Sequence, residues 1–267
     1  MLQSKLAPTR RLAVRITLAV LALCATTALV VALPRAFSSD SGVWRRVFFD
    51  SFKHGLNTSS WGRYSGQPGG DPGGWWAPSH VVVRHGVLTL ETYRDPAFGG
   101  RWVSGGLSSA RALTQTYGKY EVKLRMDAGK GVAVVALLWP SRNHWPPEID
   151  FAENGGETSS RNHIAATLHY GADNSQIAHT LRADFTRWHV VGVEWIPGRL
   201  SYTIDGKVWA VVRSGAVPAE PMELDVQAQT GTCNDPSAPC PDSTTPAHVN
   251  AQVAWVAAYA YRQPHGG

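Results

Sequence analysis

The sequence predicts an all-β protein built as a two-sheet antiparallel β-sandwich. The 267 residues include 26 Gly and 17 Pro, spread along the chain, and only 17% are charged, which favours many turns over long helices. About a dozen apolar or alternating stretches follow one another at short spacing from Trp44 onward. Because none of them has the period of an amphipathic helix, the region from 44 to 261 is predicted to be a single β domain.

The stretches that predict strands share an apolar or alternating pattern bounded by turn residues. In chain order they are WRRVFFD (44–50), HVVVRHGVLTLETY (80–93), KYEVKLRM (119–126), GVAVVALLW (131–139), EIDFAE (148–153), NHIAATLHYG (162–171), WHVVGVEW (188–195), RLSYTIDGKVWAVV (199–212), MELDVQAQT (222–230) and AQVAWVAAYAY (251–261). The second is a hairpin turning at His85-Gly86, and the eighth turns at Asp-Gly, the strongest short-range hairpin signal. The fourth is apolar throughout, as expected of a strand buried on both faces.

The N-terminus has the pattern of an export segment. Basic residues between Lys5 and Arg15 precede an apolar run over residues 16–33, so residues 1–36 are interpreted as a signal peptide, or as a signal anchor if they are not cleaved. The full division is 1–36 for this segment, 37–43 for a short linker, 44–261 for the β domain and 262–267 for a C-terminal tail. The domain is therefore expected to be secreted, or tethered to the outer face of the cytoplasmic membrane.

The net charge of +5 comes from the same N-terminal segment. Its five basic residues and absence of acids leave 20 basic and 20 acidic residues in the rest of the chain. The domain thus has no net charge for a polyanion, which excludes nucleic acid as an expected partner.

Two of the three cysteines lie close together in a turn-rich stretch. Cys233 and Cys240 bracket the sequence NDPSAP, whereas Cys24 lies in the apolar run. In an exported protein the pair is expected to form a disulfide, with two buried thiols as the alternative. No zinc site is expected, because the pair lacks the further Cys or His ligands.

All 11 tryptophans lie in the β domain, in two kinds of position. Those within strands (Trp188, Trp195, Trp209 and Trp255) are expected to fill the core. Those in loops rich in Gly and Pro (Trp61, Trp75, Trp76 and Trp145) are interpreted as stacking surfaces of a saccharide cleft, since flat rings with a polar edge match the apolar faces of sugars.

Three carboxylates lie within six residues of the stretch EIDFAE. Alternation puts Glu148 and Asp150 on one face of a regular strand and Glu153 on the other. A β-bulge near Phe151-Ala152 adds one residue and returns Glu153 to the first face. The acids would then form one cluster, as glycoside cleavage with retention requires. The alternatives are a polar strand face or a calcium-binding edge, although calcium prefers six to eight oxygens.

These residues resemble glycoside hydrolase family 16. Glu-Ile-Asp-Phe-Ala-Glu matches the E-x-D-x-x-E signature of the laminarinase-type members. Further stretches of the chain resemble family segments and occur in the family's order: WVSGGLSSARALTQTYGKYEVKLRM upstream of the signature, and LHYG, WHVVGVEW, LSYTIDGK and AWVAAYAY downstream of it. The resemblance covers about residues 44–261 and implies a jelly-roll, concanavalin-like sandwich.

The resemblance also implies roles for individual residues. Glu148 would be the nucleophile, Asp150 its assistant and Glu153 the general acid/base. The side chains expected to contact substrate are Trp139, Trp145, His169, Gln227, Gln229, Trp75 and Trp76.

The chain departs from the family pattern at two places that bear on the structural calcium of many relatives. It has Ala254 where many members have an acid, and Asp50-Ser51 where Asp-Glu is common. We therefore predict no metal and no cofactor.

The resulting hypothesis is an endo-acting, retaining β-glucanase that hydrolyses β-1,3 or mixed β-1,3/1,4 linkages by double displacement. Its partner would be the polysaccharide alone, with the domain a monomer and in contact with a membrane only through residues 16–33. The alternatives are a transglycosylase on the same polysaccharides and a non-catalytic, lectin-like carbohydrate-binding domain.

Overall fold

The computed structural model describes residues 43–69, 73–231, 233 and 236–263, which form β-strands and two single-turn 3-10 helices, Pro78–His80 and Pro96–Phe98. The strands are β1 (Trp44–Asp50), β2 (Gly62–Arg63), β3 (Val81–Arg84), β4 (Val87–Leu90), β5 (Tyr93–Asp95), β6 (Arg101–Val103), β7 (Gly106–Ser108), β8 (Gly118–Met126), β9 (Val132–Pro140), β10 (Glu148–Asn154), β11 (His163–Tyr170), β12 (Ser175–Arg182), β13 (His189–Ile196), β14 (Arg199–Ile204), β15 (Lys207–Arg213), β16 (Met222–Thr230) and β17 (Ala251–Tyr261).

The strands form two large antiparallel sheets. The eight-stranded sheet has the order β15-β14-β13-β8-β17-β4-β3, with β1 also paired to β17. The seven-stranded sheet has the order β12-β11-β10-β9-β16-β7-β2, and β5 and β6 form a separate pair. Neighbouring strands are often far apart in sequence, as β8 and β17 are, which is typical of a jelly roll. The predicted all-β sandwich is confirmed.

The core lies between the sheets and takes alternate side chains from each strand. On β9, Val134, Ala136 and Leu138 belong to the core cluster, and Phe151 and Leu168 join it from β10 and β11. The intervening β9 residues are also buried, although they point away from this cluster. β9 is therefore buried on both faces, as its uninterrupted apolar sequence predicts.

Both predicted hairpins form at the expected turns. Asp205 and Gly206 join β14 to β15 with φ of 48° and 78°, and His85 and Gly86 join β3 to β4 with φ of 52° and 73°. Two successive residues with positive φ give the turn whose twist matches antiparallel strands.

β12 and several two- or three-residue strands were not predicted from the sequence. β12 pairs with β11 over its whole length but alternates half-buried and exposed residues. It lies at a sheet edge, and its half-buried face combines Ile177 and Leu181, which pack against the core, with Ser175 and His179, so the apolar alternation that marks the other strands is incomplete.

Three of the tryptophan predictions are wrong. Trp61 is only 1% exposed and belongs to the core, because its Nε1 donates to Asp50 Oδ2 at 2.8 Å and the rest of the ring can be buried. Trp188 and Trp255 lie outside the core cluster. Their rings contact Arg125 and Phe49 instead. Trp195 is fully buried and Trp209 packs against the core, as predicted.

Cys233 and Cys240 form the predicted disulfide. The predicted export segment, 1–36, and the linker as far as residue 42 lie outside the described residues. Within the described ranges, no helix has the length and apolarity that crossing a bilayer requires.

Candidate active site

The strand that carries the three acids contains the predicted bulge. Asp150 pairs with Leu137 of β9 and Ala152 with Ala136, so Phe151 is the extra residue on β10. Phe151 and Ala152 are adjacent, yet both side chains are fully buried in the core. Two consecutive inward side chains return Glu153 to the face that Asp150 occupies.

The three carboxylates therefore share the face of the seven-stranded sheet that points away from the core. We call this surface the acid face, defined by Glu148, Asp150 and Glu153. Burial raises the pKa of Asp150 most, and the charge of Glu153 raises it further, as expected of acids on one surface. The cluster predicted from the sequence is thus assembled on one surface.

Asp150 is paired with His169 from the neighbouring strand. Its Oδ2 lies 3.1 Å from His169 Nε2, and Nδ1 of the same ring lies 2.8 Å from Asn174 Oδ1. Burial opposes a charge on His169, but the contacts with Asp150 and Asn174 and the charge of Glu148 raise its pKa above the usual value. Both ring nitrogens of His169 therefore face oxygen acceptors, an arrangement that favours the imidazolium and offsets part of the negative charge.

Glu148 occupies the start of β10 and pairs with His169 in the ladder. Burial and the neighbouring Asp150 raise the pKa of Glu148, while a 2.8 Å hydrogen bond from Trp145 Nε1 to its Oε2 lowers it, as does His169. Asp150 itself is only 3% exposed, and burial raises its pKa too, against the hydrogen bond with His169. Opposing effects of this kind separate the protonation of acids in one cluster.

The cluster also contains a possible set of metal ligands. Each of Glu148, Asp150 and His169 offers one ligand atom, and these three atoms all lie within 4.8 Å of one another. However, His169 Nε2 already contacts Asp150 Oδ2, and its other ring nitrogen contacts Asn174 Oδ1, so a metal would have to displace a proton from this pair. The donor set thus fits a proton-sharing cluster better than a cation site.

Two of the predicted tryptophans flank the acids. Trp145 is 48% exposed, donates to Glu148 and lies with its ring centroid 5.9 Å from that of His169. Trp139 follows Leu138, the partner of Ile149, and donates to Asn143 Oδ1 at 3.0 Å. Both rings are thus placed at the Glu148 end of the acid face.

Trp75 and Trp76 are adjacent in sequence but have different surroundings. Trp76 Nε1 donates to the carbonyl of Ala228 on β16 at 2.9 Å, and its ring packs against Tyr64. Trp75 instead lies beneath Arg101 of β6, with 5.2 Å between Cζ and the ring centroid. The structure connects Trp76 with a strand of the acid face, and shows no such contact for Trp75 among the described residues.

Gln227 and Gln229 both lie on the acid face. Gln227 pairs with Val135 of β9, which in turn pairs with Glu153, so Gln227 lies in the same row of the sheet as Glu153. Gln229 lies two residues further along β16 on the same face, and its Oε1 accepts a hydrogen bond from Gln227 Nε2 at 3.3 Å. Gln227 is the nearer of the two to the acids.

Sequence reasoning missed several polar residues around the site. Glu223 and Asp225 share the acid face with the two glutamines, and the alternation of MELDVQAQT would have indicated them. Arg161, only 1% exposed, donates to Asn154 Oδ1 at the end of β10 and to the carbonyls of Asp127 and Val132. Nothing local in the sequence marks Arg161, because its partners come from three separate segments.

The sequence has recognisable relatives among known proteins. An endo-1,3-1,4-beta-glycanase, ExsH, of Rhizobium meliloti (strain 1021) is 29% identical over 202 residues, covering 72% of this chain and 43% of its own length. A beta-glucanase of Rhodothermus marinus is 28% identical over 144 residues, 48% of either chain. This chain thus spans less than half the length of these curated relatives.

The fold has close structural counterparts. An endo-beta-1,3-glucanase from Pyrococcus furiosus superimposes with a TM-score of 0.72 over 84% of this chain and 97% of that one, at 22% sequence identity. The sequence profile of the glycosyl hydrolases family 16 matches residues 73–256, which include the acid face. The chain therefore belongs to family 16 of the glycosyl hydrolases.

Proposed function

We propose that the protein is an endo-acting, retaining β-glucanase that cleaves β-1,3 or mixed β-1,3/1,4 linkages. The observation that carries the proposal is the bulge at Phe151, which puts Glu148, Asp150 and Glu153 on one surface. The family match and the names of two relatives, an endo-1,3-1,4-beta-glycanase and a beta-glucanase, support a β-glucan as the substrate.

In the proposed reaction Glu148 is the nucleophile. Its carboxylate attacks the anomeric carbon, the glycosidic C–O bond breaks, and Glu153 donates a proton to the departing oxygen. Glu153 then removes a proton from water, whose oxygen attacks the same carbon and releases Glu148. Asp150, beside both glutamates and paired with His169, assists by adjusting the charge around the ester intermediate.

The place of action is also part of the proposal. The basic and apolar pattern of residues 1–36 supports export, and the Cys233–Cys240 disulfide suits an oxidising compartment. We propose that the domain acts as a monomer outside the cytoplasm, where it can reach polysaccharide chains.

The first experiment measures reducing ends released from laminarin, mixed-linkage glucan, agarose and xyloglucan. We expect release from the first two, and its loss in Glu148→Gln and Glu153→Gln. Glu194→Gln is the matched control, because it removes a carboxylate from β13 in the other sheet. Binding of these polymers without release from any of them would identify a lectin-like domain and refute the hydrolase.

A second experiment tests the mechanism and separates hydrolysis from transglycosylation. NMR of the initial product should show the β-anomer, and an inverted anomer would exclude double displacement. With azide present, Glu153→Ala should give a β-glycosyl azide, because the anion attacks the covalent intermediate without needing a base. Longer oligosaccharides formed at high substrate concentration would show that a sugar hydroxyl competes with water for the intermediate.

A further inference from the structure

The turn between β11 and β12 carries a residue that the proposed mechanism does not use. Gly171 and Asn174 begin and end this four-residue turn, with positive φ of 70° and 54°. The backbone N–H of Asn174 donates to the carbonyl of Gly171 at 3.1 Å, which closes the turn. Asparagine adopts the left-handed region more readily than most residues. The turn alone would therefore account for an asparagine here, and a role for its side chain needs separate evidence.

That evidence is a contact between Asn174 and the imidazole of His169, five residues earlier on β11. Asn174 Oδ1 lies 2.8 Å from His169 Nδ1, and the other ring nitrogen, Nε2, lies 3.1 Å from Asp150 Oδ2. An imidazole held at one nitrogen can still rotate about that contact, whereas acceptors at both nitrogens fix the plane and the direction of the ring. Asn174 therefore completes the contacts that orient His169.

The same contact decides which nitrogens of His169 carry hydrogen. An amide oxygen only accepts hydrogen bonds, so the contact with Asn174 requires a hydrogen on Nδ1. The carboxylate of Asp150 likewise accepts from Nε2 whenever it is ionised. A ring without an acceptor at Nδ1 would be free to lose that hydrogen or to turn Nδ1 toward Asp150. The two acceptors together direct Nε2–H at Asp150.

The other groups around His169 do not replace this contact. Glu148 of β10 is its partner in one ladder and Gln176 of β12 its partner in the other. Asp173 is the charged residue of the turn, and its Oδ2 accepts a hydrogen bond at 2.8 Å from the hydroxyl two residues later. Among the residues that the structure describes, Asn174 thus supplies the acceptor at Nδ1.

We propose that Asn174 is a positioning residue of the acid face, which acts on Asp150 by fixing the orientation of His169 between them. The proposal rests on the proposed function, in which Asp150 assists Glu148 and Glu153. With the ring fixed, Nε2–H stays directed at Asp150 Oδ2 during both steps of the reaction. Without the Asn174 oxygen the ring rotates, so the transition state is stabilised less while binding of the sugar chain is retained.

Two substitutions of Asn174 in the full chain separate this role from that of the turn. Asn174→Gly removes the side chain but keeps a residue that accepts positive φ, and Asn174→Asp keeps an oxygen acceptor for Nδ1. With laminarin, Asn174→Gly should lower kcat about tenfold at a KM within about twofold of the wild type, and Asn174→Asp should recover kcat to within about threefold. Unchanged kcat in Asn174→Gly, or a rise in KM alone, overturns the proposal.

The other sheet provides a matched control. Asp205 also has positive φ in a hairpin turn, and its Oδ2 lies 2.8 Å from Nδ1 of a histidine, His189. Asp205→Gly therefore removes the same kind of contact at the same kind of turn, away from the acid face. Its kcat should equal that of the wild type, with melting transitions showing that each variant is folded. An equal loss of kcat in Asp205→Gly and Asn174→Gly would assign the loss to weakened turns and overturn the proposal.

NMR of the ring nitrogens gives a readout that does not depend on activity. At neutral pH the signals of His169, assigned by their absence in His169→Gln, should show hydrogen on both nitrogens of the wild type. Asn174→Gly should shift the Nδ1 signal, and Asn174→Asp should not. Identical His169 signals in the wild type and Asn174→Gly overturn the proposal. If the wild type cleaves no polymer, the proposed function fails, and these spectra alone decide whether Asn174 orients the ring.

Discussion

At the scale of single residues, the acid face is organised by charge. Burial and Asp150 raise the pKa of Glu148, burial and Glu153 raise that of Asp150, and His169 lies beside both Glu148 and Asp150 and lowers the pKa of each. Since His169 lowers the pKa values of Glu148 and Asp150, the negative charge of Glu148, the proposed nucleophile, depends on a neighbour from β11.

Trp145 has a similar effect on the nucleophile candidate. Its Nε1 hydrogen bond lowers the pKa of Glu148, so Trp145→Phe should raise that pKa. Glu148 must be ionised to attack, so the acidic limb of the kcat/KM profile should move to higher pH, by up to about one unit. The profile is measured with laminarin.

The control for this prediction is Trp188→Phe. Trp188 stacks with Arg125 of β8 in the other sheet and has no part in the acid face. In Trp188→Phe the acidic limb of the kcat/KM profile should stay at the same pH as in the wild type. A limb that does not move in Trp145→Phe, or moves to lower pH, would contradict the role given to the indole hydrogen bond.

His169 itself can be followed by NMR. Because Asp150, Asn174 and Glu148 together raise its pKa, the imidazole signals should titrate well above the usual value of about 6.5. Asp150→Asn removes the largest of these contributions and should bring the midpoint back toward that value. An unchanged titration midpoint in Asp150→Asn would show that Asp150 does not stabilise the charged form of His169.

At the scale of secondary-structure elements, the bulged strand is fixed at its far end by a buried cation. Arg161 joins Asn154 of β10 to Val132 of β9 and to Asp127 beyond β8. Burial lowers the pKa of Arg161 to about 10, which still leaves it charged at neutral pH. This side chain thus ties the end of β10, one residue after Glu153, to β9 and to the segment after β8.

Arg161→Met should therefore lower the free energy of unfolding by about 2–4 kcal/mol, because it leaves buried acceptors unpaired. Urea denaturation followed by tryptophan fluorescence gives the value. Arg84→Met is the matched control: that arginine is 66% exposed, and its ion pair with Glu91 should contribute less than about 1 kcal/mol. Similar losses for the two variants would contradict the bridging role.

The elements differ in how far the sequence reveals them. The bulge could be predicted because three acids at this spacing form one cluster only if a residue is inserted, and β14–β15 could be predicted from its Asp-Gly turn. β12 was not predicted, since its inner face mixes Ser175 and His179 with Ile177 and Leu181, which weakens the apolar alternation that marks a strand. The burial of Trp61 was not predicted, because it depends on a hydrogen bond to Asp50, which lies at the end of β1.

At the scale of the whole molecule, the balance of charge distinguishes the domain from a polyanion binder. Beyond residue 36 the chain has 20 basic and 20 acidic residues. Binding of an uncharged glucan releases no counterions, so KM for laminarin should change less than about twofold between low salt and about half-molar salt. A steep dependence of KM on salt would indicate a charged substrate.

The site as a whole was only partly predictable. Glu148, Asp150 and Glu153 lie on one strand, and His169 on the next, so local spacing and family resemblance could identify them. Tyr64 and Asp225 are 161 positions apart in the chain, and only the pairing of β2, β7 and β16 brings them together. Contacts of this range follow from topology, which one sequence read alone does not specify.

The extra residue in β10 has a consequence for insertions and deletions. Removal of Ala152 would leave the three acids at alternate positions of a regular strand, still on one face, whereas one further residue at this point would turn Glu153 toward the core. The catalytic strand should therefore tolerate a one-residue loss better than a one-residue gain. Deep mutational scanning of indels for glucan cleavage would show this asymmetry at residues 151–152, where an ordinary core strand would reject both.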